Sequence, residues 1–208
     1  HAGFDVVTYK GDGVTGRQIP HNLSKTPEMM WIKNRSSSNG WIAFHKGLGG
    51  GTNPSHKYLQ INTNDAEADT TLPFNDTEPT SINFTVGGWG LVNNPNDQHI
   101  AMLFASVDGI SKVGSYTGDG AATQVITTGF QPRFIIIRRT ASGGNWHVFD
   151  TLRGWTAGND NQMALNNAAA QNNSYNYIGP PTSTGFSVSE PGGEMNMNGT
   201  DYIYYAHA

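Results

Sequence analysis

Two carboxylates, Asp76 and Glu78, come nearest in type and spacing to a catalytic pair. Glycoside hydrolysis uses two carboxyl groups about 5 to 9.5 Å apart. Residues i and i+2 share one face of a strand, which would bring such a pair together. The surrounding Asn-Asp-Thr-Glu-Pro is typical of a loop instead. A glycosidase-type polysaccharide depolymerase is therefore the alternative function rather than the main one.

No histidine, cysteine or serine motif in the sequence predicts catalysis or zinc binding. The seven histidines form neither His-x-His nor His-Glu-x-x-His, and no cysteine is present to complete a zinc site. No Gly-x-Ser-x-Gly motif marks a nucleophilic serine. We therefore predict a protein that is not an enzyme and that uses no metal ion and no cofactor.

Aromatic rings in loops are the better candidates for a binding site. Trp89 and Trp155 lie beside glycines, in Gly-Gly-Trp-Gly and Arg-Gly-Trp. An indole ring in such a loop is suited to stacking on a sugar, although it would serve equally well as a lid over the end of a β-sandwich. His45 and Asp150 each follow a Trp-x-x-Phe segment. We predict that these four residues contact a glycan ligand.

The sequence contains two copies of one unit. Matching segments keep their order, and the offset between the copies stays between 102 and 107 residues. The matched pairs are Tyr9–Gly13 with Tyr116–Gly120, Pro27–Arg35 with Pro132–Thr140, Trp41–His45 with Trp146–Asp150, Phe84–Val86 with Phe186–Val188, and His99–Ala105 with Tyr202–Ala208. We predict two domains, residues 1–107 and 108–208, each of a size common for a β-sandwich.

Short apolar runs separated by turn residues predict an all-β fold. The first copy holds such runs near residues 6–9, 29–33, 41–44, 58–61, 82–86 and 100–104, with Gly, Asn, Pro or Ser between them. We predict two closely packed, tandem β-sandwiches that are jelly-roll-like. Gly11-Asp12-Gly13 and its copy are predicted to form tight hairpin turns, with a calcium or phosphate site as the alternative. Residues 65–69 and 164–171 are predicted to be loops.

Composition limits the partners that the protein can have. Only 13% of the 208 residues are charged, and the net charge is −4, which argues against binding to nucleic acid. No apolar run is long enough for membrane insertion. The chain begins at His1 without an initiator Met, so we expect it to be a fragment or a processed product.

The order of several motifs resembles a tandem domain widespread in tail-fibre and other virion-surface proteins of tailed bacteriophages. The segments that carry the resemblance are Gly3–Tyr9 with the Gly-x-Gly that follows, Ile19–Leu23 before Pro27–Met29, Lys33–Ser36, Trp41–Leu48, Leu103–Val107 and Ser115–Gly118. The resemblance implies a β-rich virion component used for host attachment or surface decoration. It supplies no catalytic residue.

The expected function is therefore that of a virion-surface or tail-fibre module that binds a host glycan through its loops. Its expected partners are the host cell-surface glycan and other virion proteins, and the resemblance implies a homotrimer. The unmatched loops Gly49–His56 and Ile178–Pro181 are candidate tip loops. A purely structural spacer in a fibre or capsid is a further alternative.

Overall fold

A computed structural model describes residues 3–158, 160–174, 176–189 and 194–208. Fifteen strands are assigned within these ranges, together with one four-residue α-helix, α1 (Gly90–Asn93), and three short 3-10 turns. The prediction of an all-β fold is confirmed. Residues 65–69 and 164–171 lie in loops apart from the two-residue strands at Ala68–Asp69 and Met163–Ala164, and they contain no helix.

The described chain divides into two compact units, each with its own sheets. Unit 1 contains residues up to 62 and 67–106, and unit 2 contains residues 63–66 and those from 107 onward. The strands of unit 1 are β1 (Phe4–Lys10), β2 (Arg17–Pro20), β3 (Met29–Asn34), β4 (Ile42–His45), β5 (Lys57–Gln60), β6 (Ala68–Asp69), β7 (Asn83–Val86) and β8 (Gln98–Phe104). The strands of unit 2 are β9 (Ser111–Thr117), β10 (Gln124–Thr127), β11 (Phe134–Arg139), β12 (His147–Asp150), β13 (Met163–Ala164), β14 (Gly185–Val188) and β15 (Asp201–His207).

The two units share one strand order. The large sheet of unit 1 runs β1-β8-β3-β4-β5-β6, and that of unit 2 runs β9-β15-β11-β12-β13. The small sheets pair β2 with β7 and β10 with β14. Pairings within the named strands are antiparallel, and the last long strand of each unit lies between the first and the third. The repeat in the sequence is therefore also a repeat in topology.

Each core lies between a large sheet and a small one. In unit 1, Ile32 and Phe44 from the large sheet share a cluster with Phe84 and Val86 from the small sheet. In unit 2, the corresponding cluster contains residues of β11, β12 and β15 together with Phe186 and Val188 of β14. Because side chains alternate between the two faces of a strand, every second residue enters such a core. The short alternating runs in the sequence thus produce a two-layered sandwich in each unit.

The prediction that the Gly-Asp-Gly segments form tight hairpins is wrong. The strand before Gly11 pairs with β8, whereas the strand after it belongs to the small sheet. The segment therefore carries the chain from one sheet to the other. Gly11 is required because a Cβ at this position would lie 2.0 Å from the backbone oxygen of Asn94. Gly118 in unit 2 is required for the same reason, with 2.3 Å to the backbone oxygen of Met197.

A buried asparagine holds each of these crossing turns. Asn93 Oδ1 accepts from the backbone N–H of Asp12 at 3.1 Å, and Asn93 Nδ2 donates to Asp12 Oδ1 and to the backbone oxygen of Val14, both at 3.0 Å. In unit 2, Asn196 makes the same three bonds to Asp119 and Ala121 at 2.8 to 3.0 Å. Asp12 and Asp119, which occupy matching positions in the two copies, thus have a structural role. We call each group of three hydrogen bonds between the asparagine and this turn an Asn–Asp clamp.

Asp160 gives unit 2 a pH dependence that can be measured. Its Oδ1 accepts from the backbone N–H of Thr156 at 2.8 Å, while Oδ2 is buried without a hydrogen-bond partner in the described part of the chain. Burial raises the pKa of this carboxyl above that of the unfolded chain. The folded state therefore binds the proton more tightly, and the stabilisation due to Asp160 is lost as the pH rises through the raised pKa.

Asp160→Asn should therefore gain stability relative to the wild type as the pH rises from 4 to 7. The amide keeps an acceptor for Thr156 and carries no charge at any pH. Thermal unfolding of both proteins across this range measures the effect, with the exposed Asp108→Asn as the control. A difference in melting temperature that does not change with pH would contradict the assignment.

Candidate functional site

The prediction that Trp155 stacks on a sugar is wrong. Its side chain is 0% exposed and belongs to the core of unit 2. The ring lies 6.4 Å from that of Phe149 and 6.2 Å from that of Phe186, and its indole N–H donates to the backbone oxygen of Gly179 at 2.9 Å. Trp155 is therefore a core residue that enters from a loop, and no surface of it is open to a ligand.

His45 and Asp150 stabilise the turns that follow their strands. His45 is 1% exposed, and its Nδ1 accepts from the backbone N–H of Gly47 at 2.9 Å. Asp150 accepts from the backbone N–H of Arg153 at 2.9 Å and pairs with the guanidinium of that residue at 2.5 Å. The prediction of a ligand contact is wrong for His45, because its ring is buried. For Asp150 the prediction remains, beside a structural role that explains the residue.

Trp89 is the one predicted stacking residue that keeps a partly exposed ring. It precedes α1, packs against the core of unit 1, and makes an edge-on contact with Tyr58 at 5.3 Å. The four predicted residues are divided between the units, with His45 and Trp89 in unit 1 and Asp150 and Trp155 in unit 2. Its place against the core gives Trp89 a packing role, and sugar stacking by its ring remains a prediction.

The two carboxylates of the alternative, glycosidase-type function contact the unmatched loop of unit 1. Asp76 Oδ1 lies 2.6 Å from His56 Nε2, and Glu78 Oε1 accepts from the backbone N–H of Ser55 at 3.0 Å. The same loop is held at its other end by Glu67, which accepts from the backbone N–H of Gly49 at 3.0 Å. These contacts assign both carboxylates to fixing the loop.

Unit 2 contains a pocket of about 250 Å³ that was not predicted from the sequence. Four side-chain amides line it, together with one ion pair, one tyrosine ring and several small apolar side chains. We call it the amide pocket. Its lining residues are Asn145, His147, Gln162, Met163, Ala164, Asn167, Ala169, Ala170, Asn172, Tyr177 and Glu194.

The edge of the large sheet and the loop after β13 position these side chains. His147 pairs with Ala164 in the β12–β13 register, which places the two strands side by side at the pocket. Gln162 and Asn172 exchange backbone hydrogen bonds of 2.8 and 3.0 Å across the base of the loop. Asn166 closes the other side, because it donates to Asn145 Oδ1 at 2.8 Å. Backbone hydrogen bonds at the rim thus fix the shape of the pocket.

Gln162 lines the amide pocket and has a buried acceptor without a partner in the described part of the chain. The residue is 9% exposed, and its Oε1 is buried without a hydrogen-bond partner among the described residues. Leaving a buried polar atom unpaired costs about 1–3 kcal/mol.

His147 and Glu194 form the charged part of the pocket. His147 Nε2 donates to Glu194 Oε2 at 3.3 Å, with the imidazole buried and the carboxylate side chain 28% exposed. The hydrogen bond from His147 is the largest cause that lowers the pKa of Glu194 below its usual value. The carboxylate is therefore ionised at neutral pH and offers acceptor oxygens toward the cavity.

The repeat provides an internal comparison for this pocket. The strand registers and the Asn–Asp clamps align His147 with Ile42, Gln162 with Tyr58, and Glu194 with Leu91. The three residues of unit 1 are apolar or aromatic, and they belong to its core or pack against it. Unit 2 thus carries three polar side chains where unit 1 carries three core-packing ones. The shared scaffold does not require this change.

The sequence contains one sign of the pocket, a group of asparagines, but the first copy has no matching segment with which to compare it. Asparagines at 166, 167, 172 and 173 lie in the unmatched stretch after β13.

No group of three or more His, Asp or Glu in the described ranges is arranged to hold a metal ion. None of the helices described is long and apolar enough to cross a membrane.

Comparison with known proteins gives a family. A family model described as a domain of unknown function, DUF7483, matches residues 1–208. No curated protein and no solved structure matches the chain. The family match covers residues 1–208 but assigns no activity to the domain.

Proposed function

We propose that this chain, which belongs to the DUF7483 family of domains of unknown function, is a non-catalytic module that binds a saccharide in the amide pocket. The observation that carries the proposal is the exchange of three core-packing residues in unit 1 for His147, Gln162 and Glu194 in unit 2. A polar cavity in unit 2 at the place where unit 1 packs an apolar face supports a binding role for unit 2.

The lining matches the chemistry of a sugar. Side-chain amides both donate and accept hydrogen bonds, as sugar hydroxyls do, and four of them face one cavity. The ring of Tyr177 offers an apolar surface on which the C–H face of a pyranose can pack. The volume of about 250 Å³ lies below the usual range for drug-sized ligands, which suits a single sugar ring at the end of a chain.

The setting that we propose is the surface of a bacteriophage virion. It rests on the resemblance of the sequence to tail-fibre and virion-surface domains, and the saccharide would then be a glycan of the host cell. The module would attach the particle to its host or decorate it, in contact with other virion proteins and as part of a homo-oligomer. The weakly charged, asparagine-rich sequence suits a surface that recognises neutral glycans.

Gln162→Ala should weaken saccharide binding at least tenfold, because the pocket loses one of the four side-chain amides that line it. Screening the wild type on an array of bacterial surface glycans identifies a ligand, and calorimetry then gives its Kd for both proteins. Gln171→Ala is the matched control, since Gln171 is exposed in the same loop and does not line the pocket. Equal losses in both variants, or no glycan bound by the wild type, would contradict the proposal.

A further inference from the structure

We propose that Asn39 is a site of spontaneous covalent modification, at which the side-chain amide is converted into aspartate and isoaspartate. The sequence contains two Asn-Gly pairs, Asn39-Gly40 and Asn198-Gly199. A glycine after an asparagine favours this reaction, because no Cβ hinders the approach of its backbone nitrogen to the asparagine side chain. The structure protects the second pair and leaves the first pair open to the reaction.

The reaction consumes one water molecule and releases one ammonia molecule. The backbone nitrogen of Gly40 gives up its proton and bonds to Cγ of Asn39, while the C–N bond of the side-chain amide breaks and ammonia leaves. Water then adds to one of the two carbonyl carbons of the resulting succinimide ring and opens it. Opening at one carbon gives aspartate, and opening at the other gives isoaspartate, in which the main chain runs through the side-chain carbon. No group is oxidised or reduced.

Both reacting groups of the first pair are available. Asn39 is exposed in the loop between β3 and β4, and its side chain makes no hydrogen bond with the described residues. The backbone N–H of Gly40 donates to no acceptor in the same part of the chain. The nitrogen can therefore lose its proton and approach Cγ of Asn39 without the breaking of a native hydrogen bond.

The second pair differs from the first in the state of the attacking nitrogen. Asn198 is also exposed, and its side chain also makes no hydrogen bond with the described residues. The backbone N–H of Gly199, however, donates to the backbone oxygen of Gly118 at 2.8 Å, and the N–H of Gly118 donates to that of Thr200 at 2.8 Å. These two bonds belong to the crossing turn of unit 2. The turn must open before the nitrogen of Gly199 can react, so folding protects Asn198.

The chain is held on both sides of Asn39, so the change stays local. Lys33 Nζ donates to the backbone oxygen of Ser37 at 2.7 Å, and the backbone N–H of Trp41 donates to Asn62 Oδ1 at 3.1 Å. Isoaspartate adds one carbon to the main chain between these two points, in a segment that is mostly exposed. Either product also adds one negative charge at the surface. We therefore expect the modified chain to stay folded and to separate from the unmodified chain by isoelectric focusing.

The test compares the two pairs within one protein. The folded chain is incubated at mildly alkaline pH, digested with trypsin and analysed by mass spectrometry. Asn39 lies in the peptide 36–46, between the cleavage sites after Arg35 and Lys46, and conversion raises the mass of this peptide by about 1 Da. We expect Asn39 to convert at least about tenfold faster than Asn198. Asn39→Gln should leave the peptide unchanged, because its longer side chain would have to close a larger ring.

The same incubation in urea tests whether folding causes the difference. In the unfolded chain neither glycine N–H is held by the crossing turn, so the rates at Asn39 and Asn198 should agree within about threefold. Equal rates in the folded chain, or an Asn39 that stays unmodified there, would overturn the inference. Both results are independent of whether the amide pocket binds a saccharide.

Discussion

Replacing Trp155 with alanine is expected to destabilise unit 2 by about 3–5 kcal/mol, the usual cost of removing a large aromatic side chain from a core. The side chain is fully buried between Phe149 and Phe186, and it supplies the indole N–H that is bonded to Gly179. The substitution leaves a cavity and an unpaired carbonyl at the same time. Urea unfolding followed by circular dichroism measures the loss.

Two further substitutions separate packing from simple loop damage. Trp155→Phe keeps an aromatic ring and loses the hydrogen bond to Gly179, so it should cost clearly less than Trp155→Ala. Leu152→Ala alters the same loop at a side chain that is 80% exposed and should leave stability within about 0.5 kcal/mol of the wild type. If Trp155→Ala unfolds at the same urea concentration as Leu152→Ala, the burial of Trp155 is refuted.

The misplacement of Trp155 by sequence reasoning has a local physical cause. Asp150 caps the short 3-10 turn Thr151–Arg153, and Gly154 follows with φ of 105° in the left-handed region. This reversal turns the chain back toward the sandwich, so a residue that follows a glycine in a loop enters the core. A glycine beside a tryptophan indicates a bend, but it does not indicate whether the bend directs the ring inward or outward.

The strands were predictable because their pattern is local and repeated. The runs at Met29–Asn34 and Phe134–Arg139 are both rich in buried apolar residues, and each forms an inner strand of its large sheet. Duplication strengthened this interpretation, since two runs that match in order and spacing must meet the same packing demands. The crossing at Gly-Asp-Gly was not predictable in this way, because a hairpin and a passage between sheets use the same turn residues.

The amide pocket could not be predicted from the sequence, and the reason is different. The sequence repeat already matches His147 with Ile42, but Gln162 becomes comparable with Tyr58 only after the pairing of β12 with β13, and Glu194 with Leu91 only through the clamps. The sequence between these strands differs in length in the two copies, so similarity of residues gives no alignment there. The exchange at these two positions appears only in the structure, so the three polar residues could not be recognised as one group from the sequence.

Asn196→Ala should destabilise unit 2 by about 2–4 kcal/mol, because it removes all three bonds of the Asn–Asp clamp. Asn196 is 0% exposed, so water does not replace the lost partner of the Asp119 backbone N–H. Since Asn93 makes the same three bonds in unit 1, Asn93→Ala should cost unit 1 a similar amount. Hydrogen exchange of the backbone amides, measured for each unit separately, reports the two losses.

Because both units contain the clamp, the same prediction can be tested twice in one protein. Asn198→Ala serves as the control in unit 2, because Asn198 is exposed and makes none of the clamp bonds. Each alanine variant should lower protection mainly in its own unit, and the two losses should agree closely, since both clamps have the same bonds and both asparagines are fully buried. A large loss in one unit with none in the other would mean that the clamp is not the element that holds the crossing turn, and that the paired aspartates were retained for another reason.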